Sequence, residues 1–366
     1  MPEETEDEDR YAPPKTLLGL LQRGRGAGAI RAARKPAEAA DLVYACVRRD
    51  WSWDSLVDER SLYLARLLRD LELPLDPVVE VLSTGDEYDH DRAAEILRLL
   101  ARGGSEEAQE AVRLHVREPE PWSDVRKTPQ EPNPLAELET PKLLALLADP
   151  DAPEDDKTEA LRVLRRRDPD PGLVPLVPSL TTADGERPLV LLIGNIGKLG
   201  ALAMPAAREW AASGTRWLAW QGLTVLAEHG EAQDVPALLA ELKQDWADGV
   251  WCGPERMARG LARFGAQAAE AVPILTRYWL CTPHSFERPA YLEALAAIDP
   301  AGPDMLGLDL AHTESLWDCQ EDARLLGIER APDRPHVRER LAELRDDPME
   351  EPEVRNAAAR RLAGPT

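Results

Sequence analysis

The stretch Phe264-Gly-Ala-Gln-Ala-Ala-Glu-Ala-Val-Pro-Ile-Leu275 holds a pattern that recurs along the chain: a proline set just ahead of an apolar helical run. Proline suits the first helical turn, because its missing N–H would be unpaired there and its φ already matches the helix. The same placement appears at Pro141, Pro175, Pro205, Pro236, Pro303 and Pro335, as in Val174-Pro-Leu-Val, Met204-Pro-Ala-Ala and Val235-Pro-Ala-Leu-Leu. With Pro273 included, the steps are 34, 30, 31, 37, 30 and 32 residues. A period near thirty with one supersecondary unit per period predicts an array of stacked helix pairs sharing a continuous core.

The beat also fixes phase. A second apolar run follows each proline-started helix, with faces such as Ala160/Val163/Leu164, Leu189/Leu192/Ile193/Ile196, Leu218/Leu223/Leu226, Leu292/Leu295/Ile298 and Val354/Ala358/Leu362. That three- and four-residue spacing is the mark of an amphipathic helix. Basic residues open these second helices: Lys157, Arg187, Arg216, Arg256, Arg288 and Arg355.

The Phe264–Leu275 phrase and Glu353-Val-Arg-Asn-Ala-Ala-Ala-Arg-Arg-Leu resemble bacterial HEAT-like repeats of the short, PBS-lyase type. The likeness is clearest over 135–366 and looser over 37–116. The unit at 303–327 lacks the Val-Arg pair. The tetratricopeptide signature Trp-x-x-Leu-Gly and the ankyrin Thr-Pro-Leu-His are absent. The resemblance implies an all-α, right-handed α-solenoid, a superhelix of helix–turn–helix repeats. It also implies that the arginines opening second helices pair with acids of a neighbouring repeat.

Composition divides the chain further. Residues 1–36 are an acidic, disordered tail followed by a basic, glycine-containing segment; 37–116 are degenerate helical repeats, with helices expected at 37–49, 58–70, 77–82, 91–101 and 106–116. Residues 117–134 hold five prolines, which exclude a continuous helix and predict a linker or long loop. The regular array occupies 135–366. In the basic segment, Arg23-Gly-Arg-Gly-Ala-Gly reads either as a flexible basic loop or as an anion-binding glycine loop; the phosphate-cradling GxxxxGK[ST] pattern is absent.

A formal charge of −23 disfavours DNA, RNA and anionic lipid as partners, since these need a basic footprint. The acidic N-terminus and the absence of a long apolar run predict a soluble, cytoplasmic protein without membrane attachment. No cofactor or metal is expected. Cys281-Thr-Pro-His284 offers two ligand types with no evident second pair, and Asp86-Glu-Tyr-Asp-His-Asp reads as acids favouring a helix start. No GxSxG, HExxH or dinucleotide fingerprint occurs.

The aromatics carry the functional expectation. Ten Trp against two Phe is an unusual balance. Trp210, Trp217, Trp220, Trp246, Trp251 and Trp279 lie within seventy residues that also hold several arginines. Trp and Arg are favoured at recognition surfaces. The expected function is a non-enzymatic scaffold that binds a protein partner on the inner face of the solenoid through Arg216, Trp217, Trp220, Trp251, Arg256 and Arg288. The alternative is a HEAT-like enzyme, resembling the alkylpurine DNA glycosylases, that acts on a nucleobase or small planar ligand in a Trp/Arg-lined cleft.

Overall fold

The computed structural model describes residues 11–85, 87–116, 135–300 and 307–364. The acidic tail at 1–10, the proline-rich 117–134, Pro303 and Asp86 fall outside them. Among the described residues the chain is all-helical, with twenty α-helices, five short 3-10 segments and one isolated β-bridge. None of these helices is long and apolar enough to cross a membrane.

Most proline starts are where the beat put them. Pro141, Pro205, Pro236, Pro273 and Pro335 lie at the first or second position of helices Thr140–Ala148, Met204–Ala211, Val235–Ala247, Val272–Cys281 and Pro335–Asp346. Pro175 departs from the pattern. It sits inside a 3-10 segment, Pro171–Ser179, together with Pro171 and Pro178. Three missing N–H donors within nine residues leave no α-helical ladder to build. Arg187 departs as well: it lies in the turn closed by the Thr181–Pro188 bridge, and the following helix begins only at Leu192.

The chain forms two compact units. The second comprises Glu120–Gln244 and Arg256–Ala271. Consecutive helices pair here, Thr140–Ala148 with Glu154–Leu164 and Met204–Ala211 with Arg216–His229. The latter pair closes on Gly222, where a Cβ would come within 2.6 Å of the Ala207 carbonyl oxygen. Leu143, Leu161, Ile196, Leu226, Leu242 and Leu261 are among its fully buried side chains.

The first unit comprises Met1–Pro119, Asp245–Glu255 and Val272–Thr366. Its N-terminal helices, Pro36–Arg48, Ser61–Asp70, Asp76–Thr84, Glu87–Arg102 and Glu106–His115, follow the apolar spacing of the sequence. Toward the C-terminus three pairs follow: Val272–Cys281 with Arg288–Ile298, Leu308–Ser315 with Glu321–Arg330, and Pro335–Asp346 with Pro352–Ala363. The second members of these pairs touch in succession. One apolar cluster joins Val43, Leu64, Leu68, Ile96 and Leu97 to Cys319 and Met349, so both ends of the sequence build the same core.

The glycine-containing basic segment is neither a flexible loop nor an anion cradle. Helix Gly26–Arg34 starts inside it and packs on helix Leu308–Ser315. A Cβ on Gly26 would collide with the Glu314 carbonyl oxygen. Arg23 and Arg25 are buried; Arg23 donates to the carbonyls of Cys281 (2.9 Å), Ala12 (2.8 Å) and Gly19 (3.0 Å). Arg25 donates to the Trp279 carbonyl and lies 3.9 Å above its ring centroid. Burial lowers the Arg25 pKa to about 10, with the Arg288 charge adding to the effect. Glycine supplies close approach here, and the arginines tie the N-terminal helices to the segment at Trp279 and Cys281.

Candidate functional site

The six residues expected to bind a partner are divided between the units. Arg216, Trp217, Trp220 and Arg256 belong to the second; Trp251 and Arg288 belong to the first. Each is described in its own surroundings.

Arg216 opens helix Arg216–His229, and its side chain is 57% exposed. It pairs with Glu241 and stands over the Trp220 ring at 5.8 Å from the centroid. Trp217 and Trp220 are half-buried, and the Trp217 indole N–H is enclosed without a hydrogen-bond partner. Trp210, in helix Met204–Ala211, is buried in the core. Arg256 is exposed in the first turn of helix Pro254–Ala262.

Arg288 is interior, with only 2% of its surface exposed. One Nη donates to the Arg23 carbonyl oxygen and the other to Asp318 Oδ1, both at 2.6 Å, with Cys319 Sγ at 3.3 Å. Burial works against its charge, but Asp318 outweighs burial and raises its pKa above the ordinary guanidinium value. A side chain so enclosed braces the unit and presents nothing to a partner. Trp279, also buried, serves as the platform for Arg25.

Trp251 leads to a different arrangement. It meets Trp246 edge-on at 5.4 Å and Tyr278 at 5.8 Å, and Tyr278 stacks on Tyr291 at 5.1 Å. Next in sequence is the exposed Cys252. Its sulfur, a His284 ring nitrogen and a Glu287 carboxylate oxygen all lie within 4.8 Å of one another. His284 Nε2 is 4.0 Å from Glu287 Oε1. Cys281, the ligand type nearest His284 in sequence, is not in this group; its carbonyl instead receives Arg23.

Local structure explains the convergence. His284 and Glu287 stand three residues apart across the 3-10 turn Ser285–Glu287 that leads into helix Arg288–Ile298, so both project to one side. Gly253, at φ 111°, lets the chain after Cys252 turn so that its N–H donates to Glu287 Oε1 at 2.5 Å. Tyr291 donates its hydroxyl to Glu287 Oε2, also at 2.5 Å. Burial, followed by the neighbouring charge of Glu255, raises the Glu287 pKa.

Behind His284 lies Asp58. Its Oδ2 is 3.0 Å from His284 Nδ1, and it accepts the N–H groups of Trp53, Asp54 and Phe286 and the Ser285 hydroxyl at 2.6 Å. Burial alone would raise its pKa; the His284 bond, the Arg60 charge and Ser285 overcome that and hold the carboxyl well below the usual range. The carboxylate is therefore an acceptor and His284 donates from Nδ1, with Nε2 on the side of Glu287.

His284-x-x-Glu287 was the local signal for this corner, being one helical turn in length. Cys252 and Asp58 have no motif spacing to either residue. Comparison with family models, curated proteins and solved structures finds no match to this chain.

Proposed function

We propose that the chain is a HEAT-like helical-repeat protein, a right-handed solenoid working as a cytoplasmic, non-enzymatic scaffold. Its partner is another protein, bound at the open first turn of helix Arg216–His229. The observation that carries this reading is the contrast between two arginines at the same place in the repeat. Arg288 is sealed in an ion pair, whereas Arg216 stands mostly in solvent beside two half-buried tryptophans. Arginine and tryptophan dominate the binding energy of protein interfaces because they bring large area and a polar handle together.

The repeat reading draws support from the pairing of consecutive helices. It draws further support from braces that span about one unit: Arg216 to Glu241 over 25 residues, Arg324 to Glu350 over 26 and Arg288 to Asp318 over 30.

The test is affinity purification from the native cell with the full chain and with an Arg216→Ala/Trp220→Ala variant of unchanged circular dichroism and melting temperature. A partner retained by the wild type and weakened at least about tenfold, the equivalent of about 1.4 kcal/mol, is the expected result. Recovery of the same proteins at the same yield from both baits would remove this surface from consideration.

A further inference from the structure

We propose that Cys252, His284 and Glu287 form a zinc(II) site with one coordination position open to an exchangeable ligand. The proposal uses none of the residues of helix Arg216–His229 and stands apart from the scaffold reading.

The donor set comes first. A thiolate, an imidazole and a carboxylate are the three side-chain types that bind zinc. Calcium and magnesium prefer all-oxygen shells, and the sulfur argues against both. The three donor atoms already lie within 4.8 Å of one another. Zinc at its usual ~2.0–2.3 Å from each would hold them roughly 3.2–3.8 Å apart. For His284 Nε2 and Glu287 Oε1, now 4.0 Å apart, closure requires less than about 1 Å of movement.

The supporting shell is more specific. A histidine that binds metal through one nitrogen characteristically donates the other N–H to a carboxylate, which fixes the ring and its tautomer. Asp58 fills that place at 3.0 Å, and four further donors hold Asp58 itself. Glu287 is likewise held, by Tyr291, by the Gly253 N–H and by a hydrogen bond shared with Glu255. Zinc would displace the proton of that shared bond, since a metal-bound carboxylate must be deprotonated.

The surroundings suit a partly sheltered ion. His284 and Glu287 are buried, and the aromatic group of Trp246, Trp251, Tyr278 and Tyr291 stands beside them. Cys252 is exposed, so the ion would be reached from its side. Three protein ligands and a solvent-facing side describe an open site; closed structural zinc sites have four protein ligands.

The test uses the tag-free full chain, stripped with chelator. Zinc is titrated in competition with a chromophoric chelator, and cobalt(II) serves as the optical probe. One equivalent of zinc per chain, and a cobalt spectrum with a thiolate-to-metal charge-transfer band, are expected. Cys252→Ala, at an exposed position and checked for an unchanged circular dichroism spectrum, should abolish that band and weaken zinc by more than the roughly 10–100-fold typical of outer-shell changes. Asp58→Asn should keep the band and weaken zinc by about 10–100-fold. The proposal is overturned if the wild type takes up no zinc, if the cobalt spectrum lacks the thiolate band, or if Cys252→Ala binds zinc as tightly as the wild type.

Discussion

Arg324 and Glu350 meet as a fork, Nε and Nη2 of the guanidinium each 2.9 Å from a carboxylate oxygen, with both side chains sealed from solvent. Arg66 reaches the same carboxylate at 2.9 Å and Asp347 at 3.0 Å. Burial alone would raise the pKa of Glu350 and Asp347, but the arginines outweigh it and lower both. A folded-state pKa below the unfolded one means that the unfolded chain binds more protons in that range, so stability falls with falling pH. The contribution is complete above the unfolded carboxylate pKa of about 4 and disappears as pH drops through the folded values. Thermal melts from neutral to acid should show a steep loss beginning near that pH. Glu350→Gln should lower the melting temperature at neutral pH and flatten the acid limb.

Arg288→Ala removes a guanidinium and leaves Asp318 buried without its partner. Breaking one side of an enclosed pair costs about 3–5 kcal/mol. Urea unfolding should show the midpoint falling accordingly. A variant of unchanged stability would mean that Arg288 is not interior.

Gly26→Ala and Gly197→Ala should have opposite effects. The first drives a methyl group into the Glu314 carbonyl, an overpacking that costs about 1–3 kcal/mol. The second lies in helix Leu192–Leu199 with nothing within 4 Å of the added Cβ, and alanine there should stabilise by up to about 1 kcal/mol. Paired denaturation curves read both signs.

Alkylation of the chelator-treated native chain should mark Cys252 first. Cys46 and Cys319 are buried, and burial pushes the Cys46 thiol up to about 12. A thiol, unlike a thiolate, is a poor nucleophile. Peptide mapping should find Cys46 modified only after unfolding. Early labelling of Cys46 would contradict the packing of helix Pro36–Arg48.

These cases mark where the sequence was informative. Helices such as Pro36–Arg48 and Glu87–Arg102 were legible because apolar spacing is local, and Pro141, Pro205, Pro236, Pro273 and Pro335 were legible because proline acts on its own turn. Pro175 misled because its neighbours Pro171 and Pro178 removed the ladder it would have started. Periodicity gave Arg216 and Arg288 the same phase but could not say which of them another helix covers. Arg23 and Arg25 looked like loop residues because their partners, Cys281 and Trp279, lie more than 250 residues away. The corner at Cys252, His284 and Glu287 was hidden for the same reason: Asp58, which orients it, is 226 residues before His284.

The braces from Arg66 to Asp347 and Glu350 span 281 and 284 residues. During synthesis at roughly 5–20 residues per second, Arg66 leaves the ribosome about 15–55 seconds before its partners. The second unit, which ends at Ala271, is complete before that wait is over. The first unit cannot close until the helix pair Pro335–Asp346 and Pro352–Ala363 has been made. The order of assembly therefore runs from the middle of the chain outward, and for most of that interval the N-terminal helices are a half-built core in need of protection from other chains.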